Sequence, residues 1–277
     1  KRQLSKLPVS TTVITKEEIS RKPIYFADEA LKHTTGAYLK RSKFMDTISS
    51  VTLRGFPDKK RTLILLDGMP LTEAYTGGVS WPAIPIEEVE RVEVVRGPAS
   101  GLYGGGAMGG VINFITTRPT KEEFILRTGY GTYQTYTIHA RYSNVIFEDK
   151  FAFSMGFSRR ATEGYRSNFV VKTFSSGAGT IPVTGWERTT TSTGSVAYII
   201  GDFGQNYWDQ NLYTAKMYYM LTEKSELSFY MSLSRDEYGY EDPQTYLKDS
   251  SGQPVNSGDV EIVDSGVTKH KTIYPYY

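Results

Sequence analysis

The chain has 277 residues with 32 Lys+Arg against 30 Asp+Glu, and a formal charge of +2 announces neither a nucleic-acid nor an anionic-membrane partner. Hydrophobic residues make up 39% and charged ones 22%, which argues against wholesale disorder. The longest aliphatic run, Leu63-Ile64-Leu65-Leu66, falls far short of the ~20 apolar residues a spanning helix needs. Zero cysteines exclude disulfides, thiolate metal sites and cysteine nucleophiles, and His33, His139 and His270 are too scattered to build a histidine metal centre.

Up to about residue 118 the pattern is mixed α/β. Thr15-Lys16-Glu17-Glu18 fits a capping box that opens a helix. A second helix is expected from Phe26 to His33, stopping at Gly36. Short strands are expected at Ser50–Arg54 and Thr62–Leu66, the latter turning at Asp67-Gly68 into Met69-Pro70-Leu71. Glu90–Arg96 and Val111–Thr116 read as two more strands around a glycine-dense turn. Within that turn Gly104-x-Gly106-x-x-Gly109 formally matches a dinucleotide fingerprint, but a strand follows where the fingerprint needs a helix N-terminus. Gly97-Pro98-Ala99-Ser100-Gly101 lacks the spacing of a hydrolase elbow. No nucleophile–base pair stands out, so no catalytic residue, metal ligand or cofactor is expected.

Beyond Arg118-Pro119 the pattern changes to two-faced strands. Tyr136, Ile138, Ala140 and Tyr142 oppose Thr135, Thr137, His139 and Arg141; Phe151, Phe153, Met155 and Phe157 oppose Ala152, Ser154, Gly156 and Ser158. Tyr213, Ala215, Met217, Tyr219 and Leu221 then oppose Thr214, Lys216 and Tyr218, and Leu227, Phe229, Met231 and Leu233 oppose Ser228, Tyr230, Ser232 and Ser234. Large apolar residues alternating with small or polar ones describe a lipid-facing outside and a wet inside, although a soluble sandwich also alternates. Short connections near Glu148-Asp149-Lys150 and Thr222–Glu226 contrast with long polar stretches over 161–208 and 236–277, the loop asymmetry of an outer-membrane barrel. The 21 Tyr and 26 Gly suit that reading.

Three stretches of the first half carry a family likeness. They are Leu7-Pro8-Val9-Ser10 through Val13-Ile14-Thr15, then Leu53-Arg54-Gly55-Phe56 with Leu65-Leu66-Asp67-Gly68-Met69-Pro70-Leu71, and last Val89-Glu90-Arg91-Val92-Glu93-Val94-Val95-Arg96-Gly97-Pro98 continuing into Leu102-Tyr103-Gly104 and Gly109-Gly110-Val111-Ile112-Asn113. In this order they resemble the plug domain of TonB-dependent outer-membrane receptors. The resemblance implies an α+β plug domain over 1–118, followed over 119–277 by antiparallel transmembrane β-strands. These are the first five or six strands, the N-terminal part of a barrel of about 22 strands, with the long stretches as extracellular loops. So few strands cannot close around a plug, so the expectation is the N-terminal part of a longer receptor.

The same resemblance implies capture of a scarce extracellular solute, most often a ferric siderophore, and its energised import by plug displacement in a Gram-negative outer membrane. Haem, cobalamin, another metal chelate or an oligosaccharide are alternative cargoes. Implied partners are TonB with ExbB and ExbD, a small-molecule ligand and outer-membrane lipid, and no nucleic acid. Lys1–Leu7 shows no convincing TonB box. Arg54, Tyr75 and Trp81 are the expected ligand contacts in the apical loops Phe56–Lys60 and Thr72–Trp81. Arg54 and Arg96 are expected to pair with acids on the barrel wall. From another class, a small non-energised outer-membrane adhesin or channel also fits the strand pattern.

Overall fold

A computed structural model describes residues 10–22, 24–41, 49–56, 59–73 and 75–275. The expectations for Lys1–Leu7, and for positions 57, 58 and 74 of the two apical loops, fall outside these residues.

The chain opens with β1 (Ser10–Thr15) and α1 (Lys16–Ser20). The capping box forms as its spacing dictates: the Thr15 N–H donates to Glu18 Oε2 at 2.8 Å, and the Glu18 N–H donates to Thr15 Oγ1 at 3.3 Å. The second expected helix is shorter and tighter, a 3-10 turn over Ala27–Leu31. Its acids are engaged elsewhere: Asp28 and Glu29 both accept from Arg41, and Glu29 also caps the Tyr25 N–H at 2.7 Å. These side chains fix the chain in place before a third helical turn can build.

Next come β2 (Ala37–Lys40), β3 (Ser50–Leu53), β4 (Thr62–Leu66), β5 (Met69–Pro70), β6 (Val89–Arg96), α2 (Ser100–Tyr103) and β7 (Gly110–Thr116). β1, β6, β7, β4 and β5 form one sheet in that order, with β4 parallel to β7, and β2 pairs with β3. The β4–β5 turn places Asp67 at φ 50° and Gly68 at φ 83°, the left-handed pair that Asp-Gly supplies at low cost. Gly110 has φ 145°, and a Cβ there would collide with the Val95 carbonyl oxygen of the paired strand. The glycine-dense turn therefore serves close strand packing; β7 follows it, with no helix to receive a pyrophosphate. Ile64, Leu66, Val92, Val94, Ile112 and Phe114 fill the interior of this domain.

The two-faced strands follow as β8 (Glu123–Gly131), β9 (Thr135–Ile146) and β10 (Phe151–Thr162). A long insert holds β11 (Phe169–Lys172), β12 (Ser175–Ser176), β13 (Ile181–Pro182), β14 (Glu187–Thr190) and β15 (Val196–Asp202). The wall then resumes with β16 (Gln205–Thr222) and β17 (Ser225–Glu241), and a second insert holds β18 (Gln244–Thr245), β19 (Gly258–Asp264) and β20 (Val267–Ile273). The wall sheet runs β17-β16-β10-β9-β8. Its large residues face outward: Met155 is 53% exposed and Leu233 60%, while His139, Arg141, Ser154, Ser158, Arg160, Thr214 and Lys216 are buried. Apolar outside and polar inside is the inverse of a water-soluble sheet.

Two compact units divide the residues. The first comprises 1–130, 136–160 and 210–236; the second comprises 131–135, 161–209 and 237–277. The second unit has its own apolar core of Val170, Val183, Tyr198, Ile200, Leu247, Val255, Val260, Ile262 and Ile273. Two small sheets flank it, β11-β15-β14 with β18 on β15, and β12-β20-β19-β13. Here the hydroxyl of Tyr198 donates to Asp264 at 2.7 Å and accepts from Lys269 at 2.6 Å, so the stretches expected as loops form a folded body.

Candidate functional site

Within the first unit, the N-terminal domain meets the inner face of the wall strands through two adjacent carboxylates. A 3-10 turn over Ile86–Glu88, entered through Pro85, presents Glu87 and Glu88 just before β6. The Glu88 backbone is fixed on both sides: its N–H donates to Pro85 O at 2.9 Å and its carbonyl accepts from the Thr117 N–H at 2.8 Å.

Glu87 receives both oxygens' worth of contact from one guanidinium, with Arg160 Nη2 of β10 at 2.5 and 2.6 Å. Arg160 Nη1 donates to the Tyr25 carbonyl at 2.9 Å, and only 2% of the side chain is exposed. Burial pushes the Glu87 carboxyl up, but the charge and hydrogen bonds of Arg160 outweigh this and hold it below the ordinary carboxylate value.

Glu88 is held by β16. Lys216 Nζ lies 2.9 Å from Oε2 and Thr214 Oγ1 donates to Oε1 at 2.6 Å, with both charged side chains 1% exposed. Gly156 of β10 leaves the room: a Cβ there would collide with the Glu88 carboxylate and the Thr214 hydroxyl. Neighbouring contacts are neutral. Gln210 Nε2 donates to Pro82 O at 2.7 Å and to Ser234 Oγ at 3.0 Å, and Ser232 Oγ reaches Ala83 O at 3.4 Å. Lower on the wall, Arg118 pairs with Glu226 and lies over the Tyr218 ring at 4.7 Å. Chemically, the arrangement clamps a domain by anion-on-cation contacts that another anion can replace.

Comparison with known proteins fits this geometry. Residues 3–111 match the family model for the TonB-dependent Receptor Plug Domain. This stretch is therefore a plug domain of the TonB-dependent receptor kind. The chain is 37% identical over 169 residues to the vitamin B12 transporter BtuB of Vibrio vulnificus, covering 60% of this chain and 27% of the relative. A second Vibrio vulnificus BtuB sequence is 39% identical over 120 residues, 43% of this chain and 20% of that one. The chain thus spans about a quarter of the length of the curated relatives it matches.

Among solved structures, the ferripyoverdine receptor of Pseudomonas aeruginosa matches with TM-score 0.60 at 16% identity, over 90% of this chain and 28% of that one. The ferric yersiniabactin uptake receptor FyuA of Yersinia pestis matches with TM-score 0.56 at 22% identity, over 82% and 31%. At such identities the likeness establishes the fold, a plug followed by antiparallel strands that match the N-terminal part of these barrels. TonB-dependent receptors are outer-membrane proteins of Gram-negative bacteria, and the plug domain assigns this chain to that membrane.

Among the described residues, the buried plug–wall ion pairs place the acid on the plug and the base on the wall, and neither Arg54 nor Arg96 takes part in them. Arg96 donates to Ser10 Oγ at 3.0 Å and to Thr35 O at 3.0 Å, inside the plug. Arg54, exposed and at φ 54°, makes no ion pair among the described residues, and its guanidinium lies beside Gly97. Arg96 lies beside Gly36 and Arg54 beside Gly97 in the plug. The pairing falls instead to Glu87 and Glu88, because the bases stand on the inward stripes of β10 and β16. The expected ligand anchors are separated: Tyr75 is 90% exposed, whereas Trp81 is 1% exposed. The Trp81 indole N–H donates to Ser49 O at 3.0 Å and its ring packs edge-on against Phe114. Sequence reasoning missed Glu87, Glu88 and Arg160, yet the signal was present, since Lys216 already stood on an inward stripe of small residues.

Proposed function

We propose that this chain forms the plug and entry strands of a receptor that captures a scarce extracellular metal chelate and imports it by energised displacement of the plug. TonB, with ExbB and ExbD, supplies the pull from the periplasm, and the two long inserts serve as extracellular loops. A ferric siderophore is the cargo assigned first. Arg54 and the exposed Tyr75 offer a cation and an aromatic face to it, and Trp81 supports the Tyr75 loop from within the plug.

The observation that carries this reading is the plug's attachment through Glu87–Arg160 and Glu88–Lys216. An attachment made of ion pairs is rigid while intact, yet separates without tearing an apolar core. The similarity to vitamin B12 transporters favours cobalamin as the second cargo. The test is uptake of radiolabelled ferric siderophores and of labelled cobalamin by cells carrying the full-length receptor, with and without TonB. TonB-dependent accumulation of one of them is expected. Equal uptake without TonB, or after deletion of the plug, would overturn the mechanism.

A further inference from the structure

We infer that Arg127, Arg160 and Lys216 form a track for a polyanionic solute along the barrel wall, on which Glu87 and Glu88 stand in for the solute's own carboxylate, phenolate or phosphate oxygens until the plug withdraws. This rests on the proposed plug displacement and adds to it the charge class of what passes.

The two carboxylates are bound as a ligand would be. Each has both oxygens engaged, Glu87 by Arg160 Nη2 and Glu88 by Lys216 and Thr214, over a floor that Gly156 leaves free of side chain. Guanidinium and ammonium–hydroxyl contacts are arrangements that recognise anionic oxygens in general. Around them the inward stripe is small and uncharged: Ala152, Ser154 and Ser158 on β10. Of the wall acids, Glu123 pairs with Arg141, Glu226 pairs with Arg118, and Asp236 of β17 feels the charge of Arg160. Among the described residues, the carboxylates in direct ion pairs with Arg160 and Lys216 are Glu87 and Glu88 of the plug.

Space lies beside both pairs. Glu87 borders a cavity of about 370 Å³ whose lining includes Lys16, Lys22 and Arg127. Lys216 lies 5.5 Å over the ring of Tyr230, which lines a second cavity of about 480 Å³ with Tyr218. When the plug moves, Arg160 and Lys216 lose the carboxylates paired with them, and a buried ion that loses its partner is strongly unfavourable. An anion entering from either cavity restores the pairing, a neutral solute does not, and a cation is repelled. Rings of basic side chains select anions in pores by the same physics.

This chain holds no cysteine, so the test uses a full-length receptor in which any cysteine elsewhere is replaced by serine. Ser154→Cys is introduced into the full-length receptor, and cells are treated with an anionic (sulfonatoethyl) or cationic (trimethylammonioethyl) methanethiosulfonate, with the proton gradient intact or collapsed. Ser154 is 2% exposed beneath the seated plug, so its modification reports withdrawal. Energised cells should show about tenfold faster labelling by the anionic reagent than by the cationic one, a preference worth ~1.4 kcal/mol. Because removing Lys216 alone strands Glu88, the neutral pair Glu88→Gln/Lys216→Gln is the variant read, and it should erase most of the preference while Lys216→Arg keeps it. Energised labelling that rises equally for both reagents overturns the track and leaves plug displacement standing. Labelling that ignores the proton gradient overturns plug displacement itself, and the track with it.

Discussion

The two compact units are held together by different physics. In the first, the plug joins the wall through Glu87–Arg160, Glu88–Lys216 and hydrogen bonds from Gln210 and Ser232. In the second, Tyr198, Ile200, Leu247, Val260 and Ile262 close an apolar core. Apolar burial is non-directional and persists through small displacements, whereas an ion pair is strong in one geometry and exchangeable for another ion. Apolar burial suits a body that keeps its shape, and ion pairs suit the releasable attachment proposed for the plug.

Substitutions can break this contrast. Lys216→Ala should have the largest effect, destabilising the first unit by about 3–5 kcal/mol, because Glu88 would remain charged, buried and alone. Denaturant unfolding of the full-length receptor should show that loss in the first unit, with hydrogen exchange across 161–209 unchanged. Losing exchange protection in both units equally would mean they do not fold separately. Ile200→Ala should do the converse, costing about 2–5 kcal/mol in the second unit and leaving protection of β6 and β7 intact.

Met155→Arg tests the outward face. It should cost roughly 2–4 kcal/mol if that position lies near the bilayer midplane, measured as folding yield into lipid vesicles. Wild-type yield would show that the Phe and Met stripes do not meet hydrocarbon.

The acid response is smaller. Glu87 has a lower carboxyl value folded than unfolded, so its stabilisation is complete above the unfolded value of about 4.3 and disappears as pH falls through the depressed folded value. The Glu87 contribution to unfolding midpoints should therefore stay level from pH 6 down to about pH 4.3 and fall below it, and Glu87→Gln should remove that part of the fall. Smallest of all, Tyr75→Ala should leave stability within about 0.5 kcal/mol and weaken only ligand capture.

Much of the fold was legible in the chain because it is written locally. The capping box at Thr15–Glu18, the Asp67-Gly68 turn and the period-two stripes of β9, β10, β16 and β17 each depend on residues a few positions apart. The second helix was misjudged because Asp28 and Glu29 answer to Arg41, a partner that apolar spacing does not reveal. The Glu88–Lys216 pair was hidden for a related reason. Arg54 and Arg96 look like free cations in sequence, but Arg96 spends its donors on Ser10 and Thr35, while Glu88 meets Lys216 across 128 positions of chain. Likewise Trp81 reads as an exposed aromatic because it lies in a loop, and only tertiary packing turns it inward. The inserts read as Gly/Ser/Thr-rich loops, since their core residues are spaced irregularly between short strands.

The core of the second unit draws on both inserts. Val170, Val183, Tyr198 and Ile200 come from the one before β16, and Leu247, Val255, Val260, Ile262 and Ile273 from the one after β17. Each segment supplies only part of that core, which couples the two as one module. A recombination that exchanges one insert between related receptors pairs two half-cores that were not selected together. An exchange that carries both keeps the core intact, and so natural or engineered variation here should arrive in matched pairs of inserts.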